Sequence, residues 1–196
     1  PRSTLFPYTT LFRSAWVRRF RASLNCPNRG SGIGRHRMAN ISINHHIHHI
    51  TQQDENYCWA CAFAMLKGKR TWEQALAVAD GVPTSARDRN SGALINPSAA
   101  ANAAHLRARW VTQLTPGDLV SDLRRGPVAI FGVYRLGRVF RHVMVLSLMI
   151  GDTAVPNAVR VGVDDPWASG NRWIGPWSDF CGAGRTLISP EYVVSR

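Results

Sequence analysis

The chain changes character at Gly126-Pro127, and that change limits the folds open to it. Before this point the sequence is punctuated by helix signals. After it, Val128 to Tyr134 and Phe140 to Ile150 are dense in valine, isoleucine and aromatics, with Leu136-Gly137 between them as a turn. A third strand is expected over roughly Ala158 to Val163, with shorter ones near Arg172 to Ile174 and Arg185 to Ser189. A block of helices followed by antiparallel hairpins makes an α+β architecture. No internal repeat breaks this pattern.

The helical signals are specific. Tyr57 to Lys67 is apolar almost all round (Trp59, Ala60, Cys61, Ala62, Phe63, Ala64, Met65, Leu66), so this helix must be buried. Asn56 is placed to cap its start and Gly68 to end it. Thr71-Trp72-Glu73-Gln74 has capping-box spacing and opens a second helix that stops near Gly81. Asn96-Pro97 and Thr115-Pro116 put proline in a first turn. They start an alanine-rich helix running to about His105 and a short one that closes at Gly126.

The formal charge of +12 and pI near 10.9 would ordinarily suggest a nucleic-acid or membrane-surface partner. The excess is concentrated in residues 1–37, which carry eight arginines and no acidic residue. Without them, 24 − 8 leaves 16 basic residues against 12 acidic, a net of +4. The interior arginines show no aromatic interleaving, so neither nucleic acid nor membrane is expected as a partner. Thr4 to Ser14 (TLFPYTTLFRS) resembles the translation of a sequencing-adapter oligonucleotide and has no hydrophobic period. Ala15 to Arg37 lacks the apolar core of a signal peptide. The expectation is an artefactual or disordered leader at 1–37 (adapter-like over 1–14) and one folded domain at 38–196. A protein starting at Met38 should then fold and act like the full chain. The location is left open between cytoplasmic and exported without a recognisable signal peptide.

The chemistry centres on Gln52-Gln53-Asp54-Glu55-Asn56-Tyr57-Cys58-Trp59-Ala60. Cys58 falls in the first turn of a helix, where unpaired N–H groups favour a thiolate over a thiol. A thiolate nucleophile needs an imidazole to take and return a proton, and a third group to orient that imidazole. Only His105 and His142 lie downstream, and His142 heads a strongly apolar strand, where a polar side chain is costly without a partner. Asp165-Pro166-Trp167 follows the next apolar strand, so antiparallel pairing would carry it beside His142. Proline ends that strand, and tryptophan can shield a charged pair from water.

Gln52-x5-Cys58-Trp59-Ala60, Gly126-Pro127-Val128, His142 before a run of aliphatics, and Asp165-Pro166-Trp167 resemble, in that order, the bacterial papain-like cysteine peptidases, including the AvrRpt2-like and C39-like groups. The resemblance covers about Thr51 to Phe180. It implies an N-terminal helical lobe and a C-terminal antiparallel β-sheet lobe with the active site in the cleft between them. It implies Cys58 as nucleophile, His142 as general base and then acid, and Asp165 as the orienting group. Gln52 would donate its side-chain amide to the oxyanion, beside the Cys58 backbone N–H. Gln53 could replace Gln52 if the loop shifts by one, and Asp165 is preferred over Asp164 because it directly precedes Pro-Trp. The expected substrate is a peptide or protein, cleaved at a peptide or isopeptide bond through a thioester. No cofactor or metal is expected.

Two rival readings share these residues. Cys58-Trp59-Ala60-Cys61 has the CxxC spacing of thiol–disulfide oxidoreductases, but those need a βαβ context, and here a polar loop precedes and helices follow. The alternative function is therefore a redox or binding protein using Cys58-x-x-Cys61. His45, His46, His48 and His49 could join the two cysteines around zinc, but the second half of a recognised finger is missing, and a histidine-rich edge segment is favoured. Gly30-Ser31-Gly32-Ile33-Gly34 lacks the spacing and preceding strand of a dinucleotide loop.

Overall fold

The computed structural model describes residues 40–136, 138–167, 172–182 and 186–196; the expectations for the 1–37 leader lie outside the described residues. The elements run β1 (Asn40–Asn44), α1 (Cys58–Leu66), α2 (Trp72–Asp80), α3 (Pro97–Ala103), β2 (Arg107–Trp110), α4 (Pro116–Leu123), β3 (Val128–Leu136), β4 (Arg138–Asp152), β5 (Arg160–Asp164), β6 (Arg172–Pro176), α5 (Trp177–Phe180) and β7 (Leu187–Ser195). Among the described residues seven strands form one sheet in the order β2-β7-β3-β4-β5-β6, with β1 added to the far end of β4. Each of these pairings is antiparallel. The result is the expected mixture of helices and antiparallel sheet.

Strand alternation divides the core in two. Ala129, Phe131, Val143, Val145 and Val194 pack with α1, α2 and α3. Their neighbours Val128, Ile130, Met144, Leu146 and Val193 pack with Leu119 and Leu123 of α4 and with Trp177 and Phe180 of α5. A sheet covered on both faces has no polar face to spare, which explains the near-continuous apolar run in β4. Trp59 to Leu66 are all buried, as the all-round apolar pattern demands.

Several boundaries differ from expectation for local reasons. Tyr57, not Asn56, is the N-cap of α1, and no side chain caps it. At α2, Thr71 accepts from the Gln74 N–H, but Gln74 Oε1 reaches the Arg70 N–H rather than that of Thr71, so the box is half made. The reciprocal box occurs at α4, where Thr115 and Asp118 each cap the other's backbone. Two strands were not expected. β1 and β2 come from the first half of the chain and join the sheet, so helices and strands are not divided cleanly between N- and C-terminal halves.

Candidate active site

Cys58 stands at the first position of α1, where its backbone N–H has no partner within the helix. The residues on either side hold it firmly. Trp59 Nε1 donates to the Gly92 carbonyl at 3.2 Å. The Tyr57 ring lies over Gly92, whose φ is +72° and where a Cβ would come within 2.7 Å of that ring. Tyr57 also meets Trp72 edge-on at 5.8 Å. Two anchored aromatics thus bracket a half-buried thiol that is free of any disulfide.

His142 lies early in β4, opposite Gly132 of β3. It is 4% exposed, which excludes a histidine resting on the solvent face. Its Nε2 is 2.6 Å from Asp165 Oδ1, and the Cys58 side chain lies near enough to act on the charge of the imidazole. With Nε2 held by the carboxylate, Nδ1 is the ring atom left to exchange a proton with the thiol. Burial by itself would push the imidazole down. The hydrogen bonds to Asp165 and Cys58 and the charges of both groups outweigh it, and His142 rises from the usual 6.5 to about 9. His142 is therefore held as an imidazolium at neutral pH.

Asp165 sits one residue past β5, and its Oδ1 also accepts from the Trp167 backbone N–H at 2.9 Å. That turn fixes the carboxylate, as the Asp-Pro pattern suggests. Trp167 stands edge-on to the His142 ring at 6.0 Å. Phe140 and Tyr134 complete the surround, at 5.4 and 5.8 Å. The sequence reading missed these two; the signal was their spacing, since Phe140 is two residues from His142 on one strand and Tyr134 is its diagonal neighbour in the register.

Gln52 is 4% exposed, whereas Gln53 is exposed. The Gln52 amide Nε2 donates to the carbonyls of Asp54 and Glu55, each at 3.1 Å. Its Oε1 is buried with no hydrogen-bond partner among the described residues. The Gln52 backbone N–H donates to the Pro166 carbonyl at 2.7 Å. That bond ties the loop before Cys58 directly to the Asp165-Pro166 corner. Both amide hydrogens serve the loop in this state, and donation to a bound oxyanion requires one of them to be shared.

The remaining candidates fall elsewhere. Asp164 turns away from His142 and bonds Ser147. His105 is exposed, in a left-handed turn (φ 56°) after α3. Cys61 is fully buried, and burial, with the Cys58 charge adding to it, pushes its thiol up to about 12. Such a thiol is a poor partner for disulfide exchange at neutral pH. His45, His46, His48 and His49 continue from β1 as an extended segment, and the described residues contain no cluster fit to hold a metal.

No protein-family model matches the sequence, and comparison with curated proteins gives no match. Among solved structures, the chain is similar to one described as a double glycine motif protease from an AMS/PCAT transporter in complex with the leader peptide. The identity is 19%, the TM-score 0.45, and the match covers 79% of this chain and 98% of that one.

Proposed function

We propose that this chain is a papain-like cysteine peptidase that hydrolyses peptide or isopeptide bonds through a thioester on Cys58. The observation that carries the reading is the buried His142–Asp165 pair at 2.6 Å, with Cys58 at a helix N-terminus and near enough to help raise His142 to about 9. A histidine raised that far stays protonated at neutral pH, and so holds the proton that a departing amine needs.

In the first step the Cys58 thiolate attacks the scissile carbonyl carbon, and the carbonyl π electrons move to oxygen. The Cys58 backbone N–H and the Gln52 amide stabilise that oxyanion. As it collapses, the C–N bond breaks and His142 gives its proton to the departing amine, leaving a thioester. A water then attacks the thioester carbon while His142 removes its proton. The second oxyanion collapses, the C–S bond breaks, and the carboxylate product leaves. Cys58 returns as thiolate beside a protonated His142. Asp165 keeps the imidazole oriented and its charge balanced throughout.

A thiol-directed epoxide tests the assignment without knowledge of the substrate. It should label Cys58, and His142→Ala should suppress labelling strongly while the protein stays folded by circular dichroism. Labelling at Cys61, or equal labelling of the His142 variant, rejects the reading. A reversible Cys58–Cys61 disulfide under mild oxidation would support the redox alternative instead.

A further inference from the structure

Asp164 is 3% exposed, and its neighbour Asp165 is the residue that meets His142. Asp164 ends β5 and Asp165 follows it, and the two carboxylates serve different surroundings, Ser147 for the one and His142 for the other. Asp164 occupies the last paired position of β5, opposite Val145 of β4 and Arg172 of β6. A buried carboxylate there is costly unless it is bonded and charge-compensated. Ser147 Oγ donates to its Oδ2 at 2.8 Å. Arg172 Nε lies 3.6 Å from the same oxygen, and an Arg172 terminal nitrogen donates to Ser147 Oγ at 2.6 Å. His49 Nδ1 faces the other oxygen at 4.0 Å.

The cluster reaches the segment that carries Gln52. Arg172 also donates to the His45 carbonyl at 3.4 Å, and the His45 N–H donates to the Ser147 carbonyl at 2.8 Å. Seven residues later the Gln52 N–H meets the Pro166 carbonyl. Residues 45–52 are thus clamped at one end to the Asp164 cluster and at the other to the corner that Asp164 precedes.

We propose that Asp164, held by Ser147 and Arg172, is a positioning residue that fixes both the Asp165-Pro166 corner and the Gln52 loop against Cys58 and His142. The inference rests on the peptidase reading of that site. Asp164 touches none of the reacting groups; it acts through the strand end that presents Asp165. Misplacement of such a corner by an ångström weakens the His142–Asp165 bond and with it the thiolate.

The test is the pH profile of Cys58 alkylation by iodoacetamide in the full chain, read by peptide mapping so that other cysteines are counted separately. In Asp164→Asn the midpoint of the profile should move up by about one pH unit, leaving roughly tenfold less thiolate at any pH well below both midpoints. Arg172→Gln should shift it in the same direction, and Arg172→Lys should restore it in part. Arg172 is partly exposed, so its variants decide the matter even if Asp164→Asn does not fold. Wild-type profiles in the folded variants, with or without a lower Tm, overturn the inference, because a merely structural role would not move the midpoint. If wild-type Cys58 reacts at pH 6 no faster than Cys181, the peptidase reading fails and this inference falls with it.

Discussion

Removing the charge of Asp165 gives a sharp quantitative test, because two groups and one opposing effect set the His142 pKa. The rise from 6.5 to about 9 corresponds to about 3 kcal/mol in favour of the imidazolium, at ~1.4 kcal/mol for each pKa unit. Burial opposes that rise, so the combined pull of Asp165 and Cys58 exceeds it. In Asp165→Asn the charge is lost and the hydrogen bond becomes neutral, and the imidazole should titrate at least about one unit lower. Adding Cys58→Ala removes the second support. Burial is then opposed only by the neutral hydrogen bond, and His142 should fall further. The assay is an NMR titration of the His142 ring protons in histidine-labelled protein, with the resonance assigned by its loss in His142→Gln. Wild type, Asp165→Asn, Cys58→Ala and the double variant form a double-mutant cycle that separates the two contributions. A wild-type value near 6.5, or a value still near 9 in Asp165→Asn, would refute the reasoning.

The same rise makes stability depend on pH. Since the folded-state value lies above the unfolded 6.5, the stabilisation is fully present below about pH 6.5 and lost as pH rises through about 9. Thermal melts should show wild type losing its advantage over the Asp165→Asn/Cys58→Ala protein across that window, with no such convergence below it. Gln52→Ala should lower the rate of thioester formation by about 10²–10³-fold, measured by acyl-enzyme mass spectrometry, while binding of a substrate peptide to the Cys58→Ala background changes little. Gly132→Ala should destabilise the fold by about 1–3 kcal/mol in denaturant titration, because its Cβ would come 2.4 Å from the Ser189 carbonyl oxygen, a backbone atom of β7.

What could be read from the sequence was whatever depends on near neighbours. Thr71, Asn96 and Thr115 each cap a helix through an oxygen three residues from the N–H it accepts, and each helix start was visible. Cys58, His142 and Asp165 were legible because their chemistry is scarce in this chain and Pro166 marks the end of β5. β1 and β2 were not foreseen. Asn40–Asn44 alternates polar residues with Ile41 and Ile43, a strand signal only five residues long, and Arg107–Trp110 holds one large apolar side chain; both become strands because β4 and β7 offer them a ladder. The partners of Asp164 were hidden for the same reason. Ser147 and Arg172 meet it only through register, which no local pattern encodes.

The clasp between the Gln52 N–H and the Pro166 carbonyl closes a ring through most of the domain. Its two ends lie on either side of every helix from α1 to α4 and of the central strands. A ribosome makes Cys58 long before it makes His142 or Pro166. On the proposed reading the newborn helix therefore lacks its imidazole partner, and reactivity would arrive only when β4 and β5 dock. A chain caught half-made, or nicked between the two ends and relaxed, would then be inactive without any inhibitor.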